Sequence, residues 1–299
     1  MRVSVGDVSL FFDVDGPRLA PDGDRMIERP TLLLLHGGPG ADHSLFKPEF
    51  DALTDTAQVV YLDQRGSGRS DHGSPQSWTW AGWADDVAGF CRVLGIERPI
   101  LVGTSSGGLV AMVCAARHPA LVAGLVLDST LGVPTSIDET LAVFEAQGSP
   151  AARAAAASYL GGDTSEATAA AWQEHCLPLY GSPDMAVRRA RARMNTDVLE
   201  HFRRGECGPA TADFDRIKCP VLILAGEFDP VAPAAASVRL ADMLPGARVE
   251  VLPGIGHGVF RQAPGEAMTL VRSFLAEAAG TTGAQAAGKT GGVGASQKT

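Results

Sequence analysis

Thr31–Leu35, Gln58–Leu62, Ile100–Val102, Leu125–Leu127 and Val221–Leu224 are almost wholly apolar, with no alternating polar face. A strand that is hydrophobic on both sides belongs inside a parallel sheet covered by helices. Arg248–Leu252 alternates and predicts a weaker strand. Val3–Val14, with breakers at Asp15-Gly16 and Pro21-Asp22-Gly23, predicts an opening hairpin or meander. Helical text fills the gaps at Trp83–Leu94, Gly107–Arg117, Ala232–Met243 and Glu266–Ala278. Strands alternating with helices of this length predict an α/β fold, a mostly parallel central sheet flanked by helices.

The alternation stops between about Leu131 and Arg216. Ala-rich and Arg-rich helical text runs there without a convincing strand, at Ala151–Tyr159, Ser165–Cys176 and Met185–Phe202. An insertion between two sheet strands leaves and re-enters at the carboxyl edge, where open α/β sheets bind ligands. The sequence therefore predicts a core over residues 1–131, a helical cap insertion over 132–216 and a second core segment over 217–279. A flexible Gly-rich tail is expected over 280–299. Within that tail, Gly283 and Gly288-Lys289-Thr290 match a phosphate-loop pattern. No buried strand precedes them, so nucleotide binding is not expected.

Composition narrows the partners. With 34 Asp+Glu against 25 Lys+Arg, the net charge is -9. That balance disfavours a nucleic-acid surface. No apolar run approaches the roughly 20 residues that cross a bilayer, so no membrane span is expected. The opening segment carries acids ahead of any long apolar core, which predicts no secretory signal and a cytoplasmic protein. Cys91, Cys114, Cys176, Cys207 and Cys219 form an odd set without a CxxC pair and are expected to be small buried hydrophobes. Neither HExxH nor another metal-ligand spacing occurs, so no metal and no cofactor are expected.

The chemistry concentrates at strand ends. Gly103-Thr104-Ser105-Ser106-Gly107-Gly108 joins an apolar strand to a helix, and glycines two residues either side of Ser105 relieve crowding in a sharp turn. Ser105 is the candidate nucleophile. Such a serine needs an imidazole to take its proton and an anion to fix the imidazole tautomer. Asp229, in Ala225–Val231, and His257, in Pro253–Gly258, each follow a predicted strand, and the order Ser105, Asp229, His257 suits a triad on this sheet type. Glu227 is the rival acid. His36 also ends a strand, but its adjoining glycines suggest a backbone-holding role. In His36-Gly37-Gly38-Pro39-Gly40 the backbone can approach a carbonyl closely, so the N–H groups of Gly38 and Ser106 are the candidate oxyanion hole.

These residues resemble the α/β-hydrolase superfamily, and within it the proline iminopeptidase branch. The likeness rests on His36–Gly40, on Asp63-Gln64-Arg65-Gly66-Ser67-Gly68-Arg69-Ser70, on the turn at Ser105, and on Asp229 and His257. It implies an α/β-hydrolase fold in which Asp63, Arg65 and Arg69 brace a turn. It also implies a cap whose acids bind a substrate amine, with Glu174, Asp197, Glu200 and Glu206 as candidates. Trp172 and Tyr180 are candidates to line that cap. Trp78, Trp80 and Trp83 suit core or pocket wall. One departure is Ser106, which stands where the iminopeptidases carry Trp.

The first reading is therefore a serine aminopeptidase that releases an N-terminal proline or small apolar residue from a short peptide. The second keeps the same triad and takes a small-molecule ester, lactone or amide. A noncatalytic binding protein of this fold would have no need of the full proton relay.

Overall fold

The computed structural model describes residues 1–130, 132, 136–181, 184–208 and 213–287. Ten strands form among the described residues: β1 (Arg2–Val5), β2 (Val8–Asp15), β3 (Leu19–Asp22), β4 (Arg25–Glu28), β5 (Thr31–Leu35), β6 (Gln58–Leu62), β7 (Ile100–Thr104), β8 (Gly124–Asp128), β9 (Val221–Gly226) and β10 (Arg248–Leu252). Eight of them make one sheet in the order β1-β2-β6-β5-β7-β8-β9-β10, while β3 and β4 pair separately. The β1–β2 and β2–β6 pairings are antiparallel and the rest of the large sheet is parallel.

The helices are α1 (Trp80–Leu94), α2 (Ser106–Arg117), α3 (Ile137–Gln147), α4 (Pro150–Leu160), α5 (Glu166–Ala171), α6 (Met185–Arg191), α7 (Thr196–Arg203), α8 (Ala234–Met243), α9 (Val259–Gln262) and α10 (Pro264–Ala287). Local chemistry sets several ends. Thr79 caps α1 by accepting the Gly82 N–H, and Gly95 ends that helix at φ 62°. Ser136 and Glu139 form a reciprocal capping box at the start of α3. A π-helical turn over Trp172–Cys176 follows α5.

Every residue of β5, β7, β8 and β9 is buried. The reason is layering on both faces of the sheet. Leu33, Leu35, Leu101, Leu125 and Ile223 pack on one side with Trp83, Phe90, Met112 and Leu240 from α1, α2 and α8. Leu32, Leu34, Val102, Val126 and Leu224 pack on the other with Phe260, Val271 and Phe274 from α9 and α10. The insertion has its own small core of Leu141, Phe144, Ala155, Ala156, Trp172 and Cys176. All five cysteines are free, and burial pushes the thiols up, Cys91 to about 12 and Cys176 to about 11.

Several element bounds differ from the sequence expectation. Helix α1 begins at Trp80, three residues before the expected Trp83, because Thr79 supplies the cap. Helix α8 starts only at Ala234, after Pro233. The stretch expected to be helical from Met185 to Phe202 is two helices, parted where Ala192 turns extended and Asn195 caps α7. Helix α10 continues to Ala287, so its backbone occupies the start of the tail expected from Gly280. The remainder of that tail, with Gly288-Lys289-Thr290, lies outside the described residues.

Register positions the loops. Leu35 pairs with Leu62 and Gly103, Thr104 with Asp128, and Leu252 with Gly226. The segments after β5, β6, β7, β8, β9 and β10 therefore emerge along one edge.

Candidate active site

Ser105 leaves β7 at φ 54°, ψ −121°, and its N–H donates to the Asp128 carbonyl at 2.8 Å. This left-handed backbone costs a non-glycine residue about 1–3 kcal/mol, a strain found mostly at functional sites. The flanking glycines are sterically required. A Cβ at Gly107 would stand 2.0 Å from the Leu35 carbonyl oxygen, and one at Gly103 would stand 2.5 Å from that of Gly107. The close approach holds the start of α2 against the end of β5, and Ser105, in the turn between β7 and α2, is half-buried.

His257 is buried, and its Nδ1 lies 2.9 and 3.0 Å from the two carboxylate oxygens of Asp229. Asp229 is itself held, because its Oδ1 accepts the N–H groups of Val231 and Ala232, both at 2.8 Å. With Nδ1–H donating to Asp229, Nε2 of His257 carries the lone pair. Glu227 does something else: its Oε2 accepts the Gly254 N–H at 2.9 Å and braces the turn before His257.

The loop after β5 is held by a side-chain relay. Nδ1–H of His36 donates to the Gly37 carbonyl at 3.0 Å, and its Nε2 accepts the Gln64 N–H at 3.1 Å. Gln64 returns the contact by donating Nε2–H to the His36 carbonyl at 2.8 Å. Burial pushes the His36 pKa below the ordinary imidazole value, which suits a ring that must accept at Nε2. Gly38 takes φ 122°. Among the described residues neither the Gly38 nor the Ser106 N–H finds an acceptor.

The loop after β6 is also braced by side chains. Arg65 makes a two-pronged contact with Asp86, both bonds at 2.7 Å, while Trp83 Nε1–H donates to the Arg65 carbonyl at 2.9 Å. Asp63 accepts the N–H groups of His43 and Arg69 at 2.9 and 2.8 Å.

The alpha/beta hydrolase fold model matches residues 30–264. The chain belongs to the α/β-hydrolase family. Among curated relatives, this hydrolase is 30% identical over 271 residues to RutD of Caulobacter sp. (strain K31), a protein named as a carbamate hydrolase, covering 88% of this chain and 96% of that one. It is 29% identical over 280 residues to the proline iminopeptidase of Lactobacillus delbrueckii subsp. lactis, covering 83% and 90%. The solved structure of the Mycobacterium smegmatis proline iminopeptidase superposes with a TM-score of 0.72 at 26% identity, covering 93% of this chain and 98% of that one.

In the hydrolase the inserted helices are stitched to the sheet edge. Asn195 N–H donates to the Gly40 carbonyl at 2.8 Å, and its Nδ2–H donates to the Gly66 carbonyl at 2.7 Å. Arg193 N–H donates to Asp42 at 3.0 Å. At another contact, Tyr180 stands edge-on to His257 with ring centroids 5.0 Å apart. Gln262 clamps the same place: its Nε2 donates to the carbonyls of Tyr180 and His257, both at 2.9 Å, and its Oε1 accepts the Gly256 N–H at 3.0 Å.

The expected substrate-binding residues are scattered. Trp172 is stacked on Tyr159 at 4.0 Å within the insertion's own core, so Tyr180 rather than Trp172 makes the aromatic contact to His257. Glu200 and Glu206 flank Arg204 at 3.6 and 2.7 Å, and Glu206 also lies 2.9 Å from His201. The Glu174 side chain is 76% exposed beside His175, and Asp197 is exposed in the first turn of α7. Sequence reasoning did not single out Gln262, Asn195 or Asp128. Asp128 carried one signal, an acid closing a wholly apolar strand.

One cluster in the hydrolase has metal-ligand chemistry. Asp42, His43 and Asp63 are buried, with ligand atoms within 4.8 Å of one another. Their oxygens already serve other donors. Asp63 Oδ1 is 2.7 Å from His43 Nδ1, and Asp42 is 2.9 Å from the Arg69 guanidinium. The arrangement is that of a loop brace with its own internal cation. No helix among the described residues is long and apolar enough to cross a membrane.

Proposed function

We propose that this hydrolase cleaves small acyl compounds, amides, carbamates or esters, through a covalent intermediate on Ser105. The observation that carries the reading is the Asp229–His257 pair, at 2.9 and 3.0 Å, on the same sheet edge as an elbow serine at φ 54°. Ser105 Oγ attacks the substrate carbonyl as its proton passes to His257 Nε2, and Asp229 stabilises the imidazolium. The unpaired N–H groups of Gly38 and Ser106 receive the oxyanion. Collapse of the tetrahedral adduct breaks the bond to the leaving group, which takes the proton from His257. Water then gives a proton to the same nitrogen as it attacks the acyl carbon, and the bond from that carbon to Ser105 Oγ breaks as Oγ takes the proton back, releasing the acid and free Ser105.

The small-substrate reading is supported by the condition of two of the insertion's acids. Glu200 and Glu206 share Arg204 as an ion-pair partner, which weakens their case as receptors for a substrate ammonium. Ser106 in place of an iminopeptidase Trp points the same way. A second reading, release of an N-terminal proline or small apolar residue, is favoured by the structural likeness to a proline iminopeptidase. In both, the insertion serves as a cap over Ser105, with Tyr180 as part of its wall. A matched panel of amino-acyl anilides, their N-acetylated forms, short acyl esters, amides and carbamates decides by kcat/KM. Turnover of the unblocked amino-acyl anilides alone would overturn the small-substrate reading, and comparable turnover of blocked or simple acyl compounds would support it.

A further inference from the structure

We propose that the Asp128–Ser129 turn is a positioning element that sets the separation between Ser105 and His257. The inference rests on those two residues being the reacting pair. Strand β8 lies between β7, which carries the serine, and β9, which carries the acid, and the turn that ends it bonds in both directions. Toward the serine, the Asp128 carbonyl accepts the Ser105 N–H at 2.8 Å, and Asp128 Oδ2 accepts the Thr104 hydroxyl at 3.0 Å. Toward the histidine, Asp128 Oδ1 accepts the Val259 N–H at 2.8 Å, and Ser129 Oγ accepts the Gly258 N–H at 2.8 Å. The two residues that follow His257 are thus bonded to the same turn that holds the backbone of Ser105.

Two further facts separate this turn from an ordinary strand end. Asp128 is wholly buried, and a buried carboxylate is costly unless its oxygens are served, as both are here. Burial raises its pKa, against the opposing influence of Arg261 and His257. Ser129 sits at φ 50°, a conformation better suited to Gly or Asn. Glycine would relax the backbone and forfeit the hydroxyl that receives Gly258. The strain at Ser129 accompanies a bond that only a side chain can make, next to a catalytic candidate strained in the same sense at φ 54°.

The test uses Ser129→Ala, Ser129→Gly, Asp128→Ala and Asp128→Asn in the full chain. For each, kcat and KM for p-nitrophenyl acetate, the rate of fluorophosphonate labelling and the melting temperature are measured. Ser129→Ala is expected to lower kcat and the labelling rate roughly 10-fold with KM unchanged, the signature of misplaced reacting atoms. Ser129→Gly is expected to show the same loss without loss of stability. Asp128→Asn retains an acceptor for Val259 and is expected to restore most of the rate that Asp128→Ala loses. If Asp128→Ala fails to fold, the Ser129 pair decides.

Wild-type kcat and labelling in Ser129→Ala would overturn the proposal, as would full recovery in Ser129→Gly, which would place the damage in backbone strain rather than in the bond to Gly258. Failure of the reading beneath it looks different, since the wild-type protein itself would then not be labelled at Ser105.

Discussion

Gly37 abuts Ser105: a Cβ at Gly37 would stand 3.1 Å from the Cβ of Ser105 and 2.9 Å from the Thr104 carbonyl oxygen. The loop that carries Gly38 is therefore pressed against the nucleophile, with no room for a methyl group. Gly37→Ala should push the Gly38 N–H away from the developing oxyanion. The expected loss is roughly 10²–10³-fold in kcat, comparable to removing one oxyanion donor. Steady-state kinetics on the best substrate of the acyl panel checks it, with circular dichroism confirming that the sheet is intact.

Asp229→Asn should leave the loop in place and ruin the relay. The N–H groups of Val231 and Ala232 hold one carboxylate oxygen, so the amide oxygen takes that side and the NH₂ group faces His257 Nδ1. The ring must then accept at Nδ1 and carry its proton on Nε2, the wrong tautomer for a base. A fall of about 10⁴-fold in kcat is expected. Burst kinetics that show acylation at the wild-type rate would contradict it.

Replacing the elbow serine should reveal the strain at that position. Ser105→Gly relieves the φ of 54° that Ser105→Ala retains, so the glycine variant should be the more stable by about 1 kcal/mol. Urea unfolding of the two inactive variants gives the difference directly.

His36 predicts an acid-side loss of stability. Burial lowers its folded pKa, so between that value and the ordinary 6.5 the unfolded chain binds the extra proton and the folded chain does not. The stabilisation is complete above 6.5 and declines as pH falls through the window toward the folded pKa. Protonation at Nε2 would also cost the bond from the Gln64 N–H. Melting temperatures of wild type and His36→Asn across this range should converge toward low pH. Parallel curves would remove His36 from the explanation.

The central sheet is legible because β5, β7, β8 and β9 are buried on both faces, and such strands cannot disguise their composition. The triad candidates are legible for a related reason: glycines crowd the strand ends where backbone meets backbone, and they mark Ser105 and His257 from a distance. The insertion is harder to read. Some of its acids and aromatics take partners inside the insertion, as Glu206 does with Arg204 and Trp172 with Tyr159, while Tyr180 reaches His257. Residue type alone does not separate a lining side chain from a packed one. Gln262 and Asn195 escape notice because an isolated amide has no spacing signature, and what makes each important is the pair of backbone carbonyls it serves. The start of α1 at Trp80 reflects a polar cap ahead of the apolar stripe, a signal that periodicity cannot carry.

Asn195 has a consequence for exchanging inserts between members of this family. Its main-chain and side-chain N–H groups serve Gly40 and Gly66, on two separate loops of the recipient scaffold. A transplanted helical segment that arrives without an equivalent amide would leave the Gly66 carbonyl facing a foreign surface, and one that shifts the main chain there would lose Gly40 as well. Transplanted segments in chimeras should therefore end before residue 195, so that the recipient keeps its own fastening.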